Sequence, residues 1–302
     1  MLAGVRPLAL PPIEPAKVID GEFPEVGEAQ APPPFVAGEF PEMPAPQYHA
    51  IEAMSSSGAK KMLRSPQHYR LMRTTPNEPT PAMEFGTVVH CGVLEPDLFP
   101  SIVATAPECD KRSKDGKAEW AAFTLANAGR IAMKAEELAR ARRCIDAIRA
   151  HPAASKLLAG GRSEVSLFWE DGKYKVPCKC RWDSLNHGGG IDVKTTQDAS
   201  PEGFARQAAN LHYHVQAAHY ISGHEHVLNE SPQFFAFICV ESEPPHAVAC
   251  YVLPGNAILA GMHLVNRAYA RYAEALATQT WPGYPETIDV LTLPKWALRF
   301  ND

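Results

Sequence analysis

Three consecutive glycines, Gly188-Gly189-Gly190, stand between two segments that both read as β-strand. From Lys173 to Asp183 the residues alternate, with Tyr174, Val176, Cys178, Cys180 and Trp182 on one side and Lys175, Lys179, Arg181 and Asp183 on the other. Glycine tolerates backbone angles that other residues avoid, so the run permits a tight reversal of almost any hand. On the returning strand Ile191 and Val193 point inward, which places Asp192 and Lys194 together on the opposite face. If the strands pair, Asp183, Asp192 and Lys194 converge at one end of a sheet. Two carboxylates and an ammonium so placed can hold a divalent cation and activate a water beside a phosphate. Asp-x-Lys is a common tripeptide, and on an exposed strand it is usually a solvated, salt-bridging face, so the rest of the chain has to carry the catalytic reading.

The rest of the chain supplies helices and further strands. Ser55-Ser-Ser57 ahead of Gly58-Ala-Lys-Lys-Met-Leu-Arg64 predicts a capped helix, and Ser65-Pro66 opens another. Met83 to Leu94 reads as an apolar helix ending at Glu95-Pro96. Residues 117–150 read as one long helical region with Ile131, Leu138, Ile145 and Ile148 on a stripe. Ser163 to Trp169 alternates as a strand before the hairpin. A helix is expected from about Pro201 to Ile221, stopping at Gly223, and a second from Asn256 to Thr278. Between them Phe234 to Val240 and Ala247 to Leu253 read as strands. The expected architecture is one mixed α/β domain with helices packed on a central sheet.

Residues 1–47 differ in kind. They hold seven acids against Arg6 and Lys17, together with 11 of the 28 prolines, and they account for the whole formal net charge of −5. Such a segment buries too little apolar surface to offset its ordering entropy, so 1–47 is predicted to be a disordered Pro-rich acidic tail and 48–302 the folded domain. Within the tail Gly21-Glu-Phe-Pro-Glu25 recurs as Gly38-Glu-Phe-Pro-Glu42, either a docking peptide or drift in a linker. No apolar run reaches the roughly 18 to 20 residues that span a bilayer, and the start lacks the pattern of a secretion signal. Seven scattered cysteines, an odd number, suit reduced thiols. A cytoplasmic protein without a membrane partner is expected.

Further polar residues fall around the hairpin. Gln216 and Tyr220 share a helix face, Glu164 lies on the preceding strand opposite Val165 and Leu167, and His90 sits on the apolar helix. In this order they resemble the PD-(D/E)XK nuclease superfamily and its RecB-type branch, marked by a helical histidine, an Asp, Asp/Glu-x-Lys on a hairpin, and Gln-x-x-x-Tyr. The pieces Leu63-Arg-Ser-Pro-Gln-His-Tyr69, Phe85-Gly-Thr-Val-Val-His90, Leu94-Glu-Pro96, Lys179-Cys-Arg-Trp-Asp183, Ile191-Asp-Val-Lys-Thr-Thr196 and Trp281-Pro-Gly-Tyr284 are similar to RecE-like exodeoxyribonucleases (exonuclease VIII) of phages. The match covers about 50 to 300 but not the tail.

The resemblance implies a restriction-endonuclease-like mixed central sheet flanked by helices. It also implies Mg²⁺, with Mn²⁺ as a substitute, on Asp183, Asp192 and the Val193 carbonyl. Lys194 would orient the attacking water, and His90 would bind a second ion or its water. Glu164 would be a further ligand or position that water, and Gln216 and Tyr220 would brace the lysine or contact the strand. The basic loop residues Lys111, Arg112, Lys114 and Lys117, with Lys179 and Arg181, are expected to bind DNA phosphates without sequence preference. The implied activity is 5′ to 3′ hydrolysis of linear double-stranded DNA in phage-type recombination in a bacterial host cell. The implied partners are DNA ends, further copies in a ring-like homo-oligomer, and a single-strand annealing protein. Other relatives cut internally or trim 3′ ends, and a non-catalytic DNA-binding or assembly module remains open. Some RecB-type relatives hold an iron–sulfur cluster. Here Cys178 and Cys180 have no C-terminal Cys-x-x-Cys partner, so neither that cluster nor zinc is expected.

Overall fold

Proline and hydroxyl side chains start many of the helices. A computed structural model describes residues 33–75, 78–186 and 188–293. A short strand, β1 (Gly38–Phe40), leads to α1 (Ala45–Ala50). The hydroxyls of Ser55, Ser65 and Thr80 then accept first-turn N–H groups to cap α2 (Ser56–Arg64), α3 (Pro66–Thr74) and α4 (Pro81–Leu94). Next come α5 (Phe99–Ile102), β2 (Val103–Thr105), α6 (Lys114–Ala126), β3 (Ile131–Met133), α7 (Ala135–Ala150) and α8 (Pro152–Leu158). Three long strands follow: β4 (Arg162–Glu170), β5 (Pro177–Asn186) and β6 (Gly189–Thr196). Helices α9 (Pro201–Asn210) and α10 (Tyr213–Leu228) precede β7 (Phe234–Glu241), β8 (Val248–Val252) and α11 (Gly255–Thr278).

The main sheet has the order β1-β4-β5-β6-β7-β8 and is antiparallel except where β6 pairs in parallel with β7. One face is covered by α2, α10 and α11 over Trp169, Trp182 and Phe237. The other is covered by α4 and α7 over Ile191, Val193 and Ile238. This is the expected mixed α/β sheet flanked by helices. Among the described residues no helix is long and apolar enough to cross a membrane.

The hairpin forms, with Ser184 opposite Ile191 and Asn186 opposite Gly189. His187 of its turn lies outside the described residues. The glycines serve close approach as much as turning. A Cβ on Gly190 would lie 1.8 Å from the Trp182 ring, and one on Gly189 would lie 2.2 Å from the Phe234 carbonyl oxygen. No side chain fits at either place.

Strict alternation fails at one point, and that point positions the site. Cys178, Cys180 and Trp182 share a core cluster with Leu185, so the step of two becomes a step of three across Asp183. On β4 the pairs Ser163–Ser184 and Val165–Trp182 leave Glu164 facing Asp183 with no ladder bonds between them. Glu164 has φ of 56°, a left-handed conformation. It costs a non-glycine residue about 1–3 kcal/mol and persists only where the surroundings over-determine it. Both strands therefore break phase together, as strands do at bulges beside functional sites.

Four expectations are corrected. Residues 33–47 are not a disordered tail. Gly38–Phe40 pairs with Ser166–Phe168 of β4, and Phe35, Phe40 and Tyr48 pack on the Phe168 ring. Burial of these aromatics offsets the ordering entropy of the segment. The second pentamer copy is thus an edge strand; the first copy and the rest of 1–32 lie outside the described residues. Residues 117–150 are interrupted where Ile131–Met133 pairs in parallel with Val103–Thr105, after a turn in which Gly129 has φ of +81°. The helix expected from Pro201 is two helices, broken at His212, whose φ is 52°. Finally, Gly223 does not end α10. It leaves room for Trp169, whose ring would lie 2.5 Å from an added Cβ.

Candidate active site

The broken phase of β4 and β5 turns Glu164 and Asp183 toward α4, where His90 meets both. His90 Nε2 lies 2.8 Å from Asp183 Oδ2, and Nδ1 lies 3.2 Å from Glu164 Oε1. Burial disfavours a charged imidazole, but Asp183 outweighs it, helped by Glu164 and Asp192, and the His90 pKa rises to about 9. The same contacts act on Asp183. Burial would raise its pKa, yet His90, Lys194 and the Val193 N–H, which donates to Oδ2 at 2.7 Å, hold it below the usual carboxylate range. Glu164 is braced by Arg181 through an ion pair, though burial leaves its pKa raised.

Asp192 enters from the other side of the sheet. It is 1% exposed, and its Oδ1 accepts from Gln216 Nε2 at 2.6 Å. Its Oδ2 is buried against the Lys194 ammonium as an ion pair. Burial pushes the Asp192 pKa up, the Lys194 charge offsets only part of this, and Asp183 adds to the rise. Burial also disfavours the Lys194 charge, but Asp192 and Asp183 outweigh it and hold the ammonium protonated well above neutral pH.

Six expected residues therefore come together: His90, Glu164, Asp183, Asp192, Lys194 and Gln216. Val193 joins them through its N–H. Tyr220 does not reach Lys194; it packs edge-on against Trp182 and lines a cleft of about 370 Å³ beside His90, Glu164 and Asp183. The aromatic ring beside Lys194 is Tyr213, whose centroid is 5.2 Å from Nζ.

The expected DNA-binding cations divide. Lys179 is not an outward cation: it is 4% exposed, and its ammonium donates to the carbonyls of Tyr48, His49 and Ile51 at 2.8, 3.3 and 2.6 Å. Burial brings its pKa down to about 8. The alternation of β5 pointed Lys179 away from Trp182 correctly, but the segment before α2 covers that face. Arg181 is likewise held, by Glu164 and by the Met43 carbonyl at 2.8 Å. Lys111, Arg112, Lys114 and Lys117 are exposed at the start of α6, with Lys111 over the Trp120 ring, and they make no contact with the centre among the described residues.

The residues present suit a hard divalent cation. Asp183 and Asp192 offer carboxylate oxygens from adjoining strands, and the buried Asp192 Oδ2 is met by the Lys194 ammonium alone among the described residues. Such a cation prefers a few oxygens and retains waters. Among the described residues no three His, Cys, Asp or Glu side chains form a ready cage, and the His90 imidazolium lies between Glu164 and Asp183.

Sequence reading missed Tyr213 and Lys60. Lys60 Nζ lies 5.2 Å from the same Tyr213 centroid. One signal was present for Tyr213, which precedes Gln216 by one helical turn.

Comparison with known proteins gives a family and a shared fold. The family model described as "PDDEXK-like domain of unknown function (DUF3799)" matches residues 55–294. The crystal structure of a protein from Eubacterium rectale, described as "Putative exonuclease", overlays with a TM-score of 0.57 at 16% identity, covering 84% of this chain and 96% of that one. At that identity the overlay shows a shared fold. The structure of SSO0001 covers 44% of this chain and 63% of its own at 15% identity, with a TM-score of 0.27, too low to bear on the fold. No curated protein matches the sequence.

Proposed function

Because the chain belongs to the family of PDDEXK-like domains (DUF3799), we propose that it is a divalent-metal-dependent deoxyribonuclease acting from the ends of linear duplex DNA. The observation that carries this reading is the meeting of Asp183, Asp192 and Lys194 from β5 and β6, with His90 and Glu164 beside them. The name of the Eubacterium rectale protein supports the end-dependent form. The closer likeness to RecE-type enzymes, with 5′ to 3′ polarity, a ring of copies and a recombination partner, extends the same proposal.

Asp183, Asp192 and the Val193 carbonyl are the groups that would hold Mg²⁺. When bound, the ion would polarise the scissile phosphate and lower the pKa of a water. The chain's own groups do the rest. Lys194, kept protonated by its two acids, is not a base; its charge offsets the negative charge that builds on the phosphoryl oxygens as water adds and the P–O bond breaks. Gln216 fixes the Asp192 carboxylate so that its other oxygen, paired with Lys194, keeps one direction. His90 holds a proton between Asp183 and Glu164 and would release it to solvent if a bound cation took that charge's place. Glu164, with a raised pKa and an opening to the cleft, is set to position water.

Linear and closed-circular duplexes of one sequence, incubated with Mg²⁺, separate the readings. The proposal expects the linear form to be degraded and the circle to survive. Loss of the circle would identify an endonuclease, and binding of both without cutting would leave a DNA-binding module.

A further inference from the structure

Lys60 shares the Tyr213 ring with Lys194. It lies on the inner side of α2, half-buried, and among the described residues its ammonium has no hydrogen-bond or ion-pair partner. Its ammonium lies over the Tyr213 ring, 5.2 Å from Nζ to centroid, and Lys194 is 5.2 Å from that centroid as well. Burial first, and then the Lys194 charge, bring the Lys60 pKa down to about 8, with Asp192 pulling the other way. The start of α10 adds to the same character. His212 and His214 flank Tyr213 with rings 5.7 Å apart, burial and then His212 and Lys60 depress the His214 pKa, and His212 Nδ1 is buried without a partner among the described residues.

An unpaired ammonium held half out of water in the field of a second ammonium is an unfavourable arrangement in the empty protein. It becomes favourable when an anion arrives. Lys194 is committed to Asp192, whereas Lys60 is free to bind. We infer that Lys60 grips a backbone phosphate of the strand being cut, beside the phosphate that Lys194 faces. The inference rests on the nuclease reading and adds a substrate contact to it. Lys60 is a binding residue on this account, and its loss acts on affinity before it acts on turnover.

The test uses the full chain and an end-labelled linear duplex. In an Asp192→Asn background, which binds without cutting, affinity is measured over a range of salt with and without Lys60→Gln or Lys60→Arg. Lys60→Gln is expected to weaken binding about 3- to 10-fold and to lower the slope of log K against log salt by about 1, the signature of one lost phosphate contact. Lys60→Arg, which keeps the charge, restores both. In the otherwise native chain Lys60→Gln raises KM by a larger factor than it lowers kcat. Thermal unfolding of Lys60→Gln at or above the native midpoint shows that the change is not a folding defect. An unchanged salt slope and KM in a chain that still cuts DNA overturns the Lys60 inference alone. Failure of the native chain to cut, with failure of Asp192→Asn to bind, overturns the nuclease reading and the inference with it.

Discussion

Asp183 and Asp192 reach one centre from adjoining strands, and their surroundings treat them in opposite ways. Asp183 lies on the α4 side, at the mouth of the cleft, with His90 and a backbone N–H on its carboxylate; its pKa is depressed. Asp192 lies on the α10 side, shut away from solvent, with one neutral amide and one ammonium; its pKa is raised. A carboxylate lined by donors stays charged almost anywhere, whereas one in a dry corner depends on its single countercharge. The Asp183 side is therefore exchangeable, because the His90 proton can leave as another cation comes. The Asp192 side is a fixed frame.

That contrast can be broken at several points, and the largest effect belongs to the frame. Lys194→Ala strips Asp192 of its countercharge, so cleavage is expected to fall by at least about 10³-fold. Stability is expected to drop by about 3–5 kcal/mol, the cost of an uncompensated buried charge. Rate assays and urea unfolding of the metal-free chain read the two losses, and a variant as stable as the native chain would mean that Asp192 does not need Lys194.

Lys179→Met tests the wall behind Asp183. Three carbonyls lose their shared donor, and about 2–4 kcal/mol of stability is expected to go with it. Protease cleavage within residues 43–51 should rise in step, because that ammonium holds the carbonyls of Tyr48, His49 and Ile51.

Without metal, the exchangeable side carries a pH signature. The folded pKa of His90, about 9, lies above its ordinary value of 6.5, so the folded state binds the extra proton between them. The stability it contributes is complete below pH 6.5 and is lost as pH rises through about 9. The native chain should thus lose on the order of 1–3 kcal/mol relative to His90→Asn across that window. Parallel pH profiles for the two proteins would remove the His90–Asp183 coupling from the account. The smallest effect concerns the phase break: Glu164→Gly should be about 1 kcal/mol more stable than Glu164→Ala, since only glycine takes φ of 56° without strain. Equal stabilities would mean that the backbone relaxes when the carboxylate goes.

Much of this centre was legible in local pattern. Alternation around the three glycines placed the hairpin, helical spacing set Gln216 and Tyr220 on one helix face, and serines marked the starts of α2 and α3. What escaped depends on contacts between distant segments. Lys179 reads as an outward cation until residues 48–51 close over it, and Phe35 and Phe40 look like tail residues until Phe168 is in place. His212 breaks a helix that propensity would run through, and that break brings Tyr213 against both Lys60 and Lys194. The left-handed Glu164 has no sequence signature at all, since it is held there by His90 and Arg181.

The most direct measurement is cleavage of an end-labelled linear duplex by the native chain and by Asp192→Asn, each with EDTA and then with Mg²⁺ added back in excess. Turnover that is absent in EDTA, returns with Mg²⁺ in the native chain and fails to return in Asp192→Asn is the predicted result. Cutting that persists in EDTA, or that Asp192→Asn supports at the native rate, would contradict a metal-dependent centre built on Asp183, Asp192 and Lys194.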